Sequence, residues 1–137
     1  MFRGDHMLAE EYEIPDSELS DKLTQMIMAL FEHWHLTYAE QSHLLGLSDR
    51  TNSTISRYKK GMAHIRFGRD SYDRVRYLLS IHKILRTLFK HNPDLAYKWM
   101  KSNNTYFENK TPVEVITSDG FLGVVKVHNY LENYRSL

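Results

Sequence analysis

The sequence predicts an all-α protein, with a three-helix N-terminal module followed by a smaller helical C-terminal one. Three observations carry this expectation. Apolar residues recur at helical spacing through several stretches. Two capping boxes, Thr37–Glu40 and Thr111–Glu114, mark helix starts, and the one valine-rich segment near the C-terminus has no partner strand elsewhere. At 137 residues the chain suits one domain, or two small helical modules sharing a core. Its 42% hydrophobic and 26% charged residues exclude general disorder.

Residues 1–16 read as a flexible arm ending at Pro15, and acids outnumber bases there: within residues 1–20 stand Asp5, Glu10, Glu11, Glu13, Asp16 and Glu18 against Arg3 alone. Gly4–Met7 has the composition that a cloning remnant would leave. From Ser17 the apolar positions Leu19, Leu23, Met26, Ile27, Leu30, Phe31 and Trp34 make one helical stripe. Thr37 caps a short second helix that Gly46 stops. After a polar turn at Ser48–Thr51, a third helix runs to about Lys60, with Ile55 and Tyr58 inward and Gly61 closing it. The first module thus spans 17–65, and Ala63–Arg69, containing Gly68, is the expected joint to a second module at 66–137. Asp70 or Ser71 caps a long helix carrying Tyr72, Val75, Leu78, Leu79, Leu85, Leu88 and Phe89. There Ile81 and Ile84 widen the apolar girth beyond one stripe. Asn92-Pro93 opens the next helix, with Leu95, Ala96, Trp99 and Met100. Ser102–Lys110 is a polar loop anchored by Tyr106 and Phe107. Thr111-Pro112 begins a short helix to about Thr117, and Asp119-Gly120 is a turn. Phe121–Tyr134 is read as a helix whose face holds Leu122, Val125, Leu131 and Tyr134.

Charge is distributed unevenly. Arg50, Arg57, Lys59, Lys60, Arg66 and Arg69 fall within twenty residues that hold no carboxylate, in a chain of net charge +1. A short capped helix, a glycine and a basic helix are what a helix-turn-helix needs to meet DNA phosphates. The second helix of such a motif lies in the major groove. Its candidate contacts here are Arg50, Thr51, Asn52, Ser53, Thr54, Ser56, Arg57, Lys59 and Lys60. Arg pairs bidentately with guanine and Asn with adenine, while short hydroxyls suit phosphate oxygens. Ser, Thr and Asn are poor helix-interior residues, so their density at 51–56 fits a contact surface better than filler. A solvated charged face is the bland alternative. Operator duplex DNA is the expected partner, read by a homodimer because such operators are commonly two-fold. The apolar girth of Tyr72–Phe89 is the first candidate for the dimer face.

Residues 75–135 resemble the C-terminal toxin-binding domain of the Xre/MbcA/ParS antitoxin family. The match is carried by Leu79, Ile81-His82-Lys83, Leu85-Arg86, Leu88-Phe89, Asn92, Trp99, Asn103, Phe107 and Thr111-Pro112. It continues through Gly120-Phe121-Leu122 and Val127 to Tyr130-Leu131. With the Xre-like helix-turn-helix of 37–61, only the acidic arm falls outside the resemblance. The resemblance implies the antitoxin half of a type II toxin–antitoxin pair. It also implies a RES-type, NAD-consuming toxin as partner, repression of the shared operon, and a higher hetero-oligomer with the toxin. It places toxin contacts at Asn103, Asn104, Tyr106 and Phe107 in the loop, and at Tyr130, Tyr134, Arg135 and Leu137 near the end. There Arg135 and the terminal carboxylate would enter a nucleotide-shaped site. The alternatives are a solitary helix-turn-helix regulator without a toxin, and a protein-binding adaptor that has lost DNA contact.

Other readings are structural. Trp99 and Phe107 are core anchors before they are interface residues. His82, inside an apolar helix, reads as a hydrogen-bonded structural histidine, and Arg86 on its face implies a nearby carboxylate or helix end. No phosphate-cradling glycine loop, nucleophile elbow or metal-spaced Cys/His cluster occurs, so neither enzyme activity nor a cofactor is expected. Without cysteine there is no disulfide or thiolate site. No apolar run approaches a membrane span and no secretory h-region is seen, so a cytoplasmic protein is expected.

Overall fold

The computed structural model describes residues 13–47 and 52–136. The expected turn at Ser48–Thr51, most of the acidic arm, and the candidates Arg50, Thr51 and Leu137 lie outside the described residues. Seven α-helices follow in order: α1 Ser17–His33, α2 Tyr38–Leu45, α3 Asn52–Lys59, α4 Arg69–Leu88, α5 Pro93–Lys98, α6 Pro112–Asp119 and α7 Phe121–Arg135. Two 3₁₀ turns, Trp99–Lys101 and Thr105–Phe107, lie between α5 and α6. No strand occurs among the described residues, and the fold is all-α.

Helix boundaries follow local chemistry. Asp16 accepts from the Leu19 amide at 2.8 Å and opens α1. Both expected capping boxes are closed: Thr37 N–H donates to Glu40 at 2.8 Å and Thr111 N–H to Glu114 at 2.8 Å, with the hydroxyls accepting in return. The cap of α4 differs from expectation. Gly68 occupies it, and Ser71, three residues on, accepts from the Gly68 amide at 2.9 Å, so the helix starts at Arg69 and not after Asp70 or Ser71. Gly46 ends α2 with φ +74°, a left-handed conformation that a side chain resists.

One hydrophobic cluster spans the described chain, from Ile27, Phe31 and Trp34 through Leu44, Ile55 and Leu78 to Ile116, Val127 and Leu131. Helix α4 packs against α1, α2 and α7, and α6 packs against α2 and α7. The segment Ala63–Gly68 has no helix and is pinned to the core. Ile65 and Phe67 are buried, and the Ile65 amide donates to the fully buried Thr24 hydroxyl at 2.9 Å.

Three expected faces are corrected. On α1, Leu19 and Met26 are 42% and 52% exposed, whereas Ser20 and Thr24 are buried because the pinned segment crosses there. On α7 the buried stripe is Val124, Val127 and Leu131, while Leu122 and Tyr134 point to solvent. The apolar girth of α4 does not form an open dimer face. Val75, Leu78, Ile81, Ile84 and Leu85 are each no more than 2% exposed, covered by the chain's own helices.

Candidate nucleic-acid and partner interfaces

Helix α3 is held by two residues, Ile55 and Tyr58, both buried. Asn52, Ser53, Arg57, Lys59 and Lys60 are exposed, and Thr54 and Ser56 are half-buried. Lys59 faces differently from the others. Its ammonium sits 2.9 Å from Glu32 of α1, and 5.9 Å from the Tyr38 ring centroid. That hydrogen bond lowers the Glu32 pKa and raises that of Lys59. Asn52, Ser53, Arg57 and Lys60 therefore remain as the outward polar set of α3, with Lys59 turned back onto the scaffold. Burial raises the Tyr58 pKa, opposed by the guanidiniums of Arg66 and then Arg57, which share its surroundings.

The second candidate set gathers around Tyr130. Its ring centroid lies 4.6 Å from Tyr106, 5.3 Å from Phe107, 6.2 Å from Trp99 and 6.2 Å from Tyr134. Phe107 is buried as the anchor, whereas Tyr106, expected to anchor too, is 68% exposed, with Tyr134 at 55%. The loop presenting Tyr106 is built tightly. The Asn104 side chain accepts from the Tyr106 amide at 2.8 Å, and the Asn104 amide donates to the Lys110 carbonyl at 3.1 Å. Glu108 and Asn109 both adopt left-handed backbone, φ +59° and +65°, which reverses the chain within two residues. A groove of about 510 Å³ opens beside this face, edged by Tyr106, Tyr130, Lys110 and the Asp119–Lys126 ion pair at 2.8 Å. The Lys126 hydrogen bond holds the Asp119 carboxyl below its usual pKa.

The structure thus brings Tyr106, Phe107, Tyr130 and Tyr134 together and adds Trp99, stacked on Tyr130 at 15°. Asn103 is exposed beside them, Asn104 builds the loop, and Arg135 is hydrogen-bonded to Glu132 on its own helix. Trp99 was legible only as a core residue, because its contact with Tyr130 spans thirty-one positions. His82 also departs from expectation. Nδ1 of His82 is buried without a hydrogen-bond partner among the described residues, and its ring lies parallel to Tyr97 at 5.9 Å. Arg86 stands in the last turn of α4, at the helix end its position implied, and donates to the Tyr97 hydroxyl at 3.3 Å. Among the described residues no cluster of His, Asp or Glu could hold a metal ion, and no helix is long and apolar enough to cross a membrane.

The described residues thus join a helix-turn-helix to a helical module with an exposed aromatic face. Two family models match in succession. The antitoxin Xre-like helix-turn-helix domain covers residues 22–80, and the antitoxin Xre/MbcA/ParS C-terminal toxin-binding domain covers 85–136. The chain belongs to this antitoxin family. It is also similar to the uncharacterized protein y4oB of Sinorhizobium fredii, at 28% identity over 104 residues, covering 76% of this chain and 77% of that one.

Proposed function

We propose that the chain inhibits a RES-type, NAD-consuming toxin and represses its own operon by binding operator DNA as a homodimer. The observation that carries the first half is the aromatic face. Exposed Tyr106 and Tyr134 flank half-buried Tyr130 and Trp99 over a buried Phe107. Tyr and Trp are enriched among the few residues that dominate binding energy at protein interfaces, and large contiguous exposed apolar patches mark interaction sites. Asn103 and Asn104 rim the face, and Arg135 at the end of α7 is the group offered to an anionic or nucleotide-shaped site.

Co-expression with the toxin encoded beside it tests this. The intact chain restores growth and cellular NAD, while the Tyr106→Ala/Tyr134→Ala pair and a deletion of Tyr134–Leu137 fail to do so yet keep their helical circular dichroism. Full rescue by both variants overturns the assignment of the face. For the DNA half, the outward set of α3 supports the reading. Arg57→Ala with Lys60→Ala lowers affinity for the upstream duplex, and unchanged affinity refutes it.

A further inference from the structure

A groove of about 610 Å³ lies between the end of α2, α3, the extended segment Ala63–Gly68 and the start of α4. Thr54, Arg57, His64, Arg66, Arg69 and Ser71 line it. Among the described residues that line it, Arg57, Arg66 and Arg69 stand against one carboxylate, Asp70, which Arg74 holds at 2.8 Å. Arg66 and Arg69 stand on neither helix of the helix-turn-helix, yet Arg66 shares the surroundings of the Tyr58 hydroxyl with Arg57 of α3. The segment bearing Arg66 is fixed in place by Ile65, Phe67 and the Ile65–Thr24 hydrogen bond, so its guanidinium is displayed from rigid backbone.

We infer that this groove seats the phosphodiester backbone of the DNA strand beside the one α3 reads, with Arg66 and Arg69 as backbone contacts outside the helix-turn-helix. The inference rests on the reading of α3 as the DNA-facing helix. A strand backbone is the fitting occupant because it is a continuous anionic ribbon, and the groove continues the polar edge of α3 through Thr54 and Arg57. Backbone contacts position the protein without reading sequence, so their loss acts equally on every duplex.

Fluorescence anisotropy across a salt series, with the upstream duplex and an unrelated duplex of equal length, tests this. Arg66→Gln/Arg69→Gln, both at exposed positions, is expected to bind both duplexes roughly tenfold more weakly at physiological salt. Because the proposed homodimer carries two copies of each arginine, it should also flatten the log Kd against log salt slope by about 4, since each phosphate contact contributes about 0.9. Arg66→Lys/Arg69→Lys restores the slope. Lys90→Ala, which removes a charge beyond the far end of α4, about 28 Å along the helix, leaves it unchanged. If the intact chain binds DNA and the glutamine pair keeps its slope, or loses affinity for one duplex only, the groove assignment falls and the reading of α3 stands. If the intact chain binds neither duplex, both fall.

Discussion

Gly123, in the first turn of α7, is where the fold is least forgiving. A Cβ there would lie 2.6 Å from the Val115 carbonyl oxygen and 2.8 Å from the Ile116 Cα, both backbone atoms of α6. Ordinary carbon–oxygen contacts are about 3.3–3.6 Å, so the shortfall is about 0.7 Å or more. No rotamer relieves it, and α7 must move away from α6. Overpacking of this kind costs about 3 kcal/mol at the upper end of its usual range, against about 1 kcal/mol gained from alanine's helix propensity. Gly123→Ala is therefore expected to destabilise the chain by about 2 kcal/mol. With unfolding entropy of about 2.1 cal/mol/K per residue over 137 residues, the melting temperature drops by about 7 °C. Thermal and urea unfolding followed by circular dichroism give both numbers. Because Tyr130 and Tyr134 ride on α7, affinity for the toxin falls as well, measured well below the melting temperature. If the variant instead melts about 3 °C higher, as propensity alone dictates, the close approach of α6 and α7 is refuted.

Three further predictions concern the scaffold. At Gly46 a Cβ would come within 2.7 Å of the Arg74 guanidinium, and that group donates to the last carbonyls of α2, His43 and Leu44, at 3.4 Å. Gly46→Ala costs about 2 kcal/mol, half of it left-handed strain, and in an Arg74→Ala background the cost falls to about 1 kcal/mol; additivity in that cycle refutes the clash. His82 has a lowered pKa, through burial first and then Arg86 and His33, so its neutral form is favoured in the folded chain. As pH falls below the unfolded value of about 6.5, the unfolded chain binds the proton first and stability declines. His82→Gln should flatten that limb of a stability–pH curve while leaving the carboxylate limb of Glu32 and Asp119 in place, and an unchanged limb overturns the assignment. Lys101, which donates to the His35 carbonyl at 3.1 Å and to Glu40 at 3.0 Å, is partly exposed; Lys101→Ala costs less than about 1 kcal/mol by urea unfolding, and a larger loss would show the contact is desolvated.

Short-range chemistry was the legible part of this chain. Thr37, Asn92, Thr111, Gly46 and Gly61 act on neighbours within four residues, and each marks its boundary where its residue type dictates. Faces were read less well, because apolar periodicity says which side of a helix is buried only when nothing else crosses it. Leu19 and Met26 fit the stripe of α1, but the segment pinned through Ile65 and Thr24 rotates burial toward Ser20 and Thr24. Gly123 and Arg74 carried no local signal at all, since a close approach to Val115 and a bond to the end of α2 exist only after folding. On the aromatic face, Tyr106, Phe107, Tyr130 and Tyr134 were named by resemblance. Their convergence on a single ring, with Trp99 joining, is tertiary information.

Helix α3 separates what the fold needs from what its surface offers. Its buried residues are Ile55 and Tyr58, and Lys59 adds an exposed ion pair to Glu32, worth little in water. Inside the helix, stability alone would place Ala, Glu or Lys at Thr54 and Ser56, because short polar side chains compete with the helix for backbone hydrogen bonds. Neither fills the core, and both stand half-buried beside the exposed Asn52 and Ser53. On the proposed reading, amides that pair with base edges and hydroxyls that reach phosphates gain from that composition, beside a groove where Arg66 is displayed from backbone pinned through Ile65 and Thr24. Base contact then falls to α3 and strand anchoring to the pinned segment behind it, so substitutions at the exposed Asn52 and Ser53 change recognition with little loss of stability.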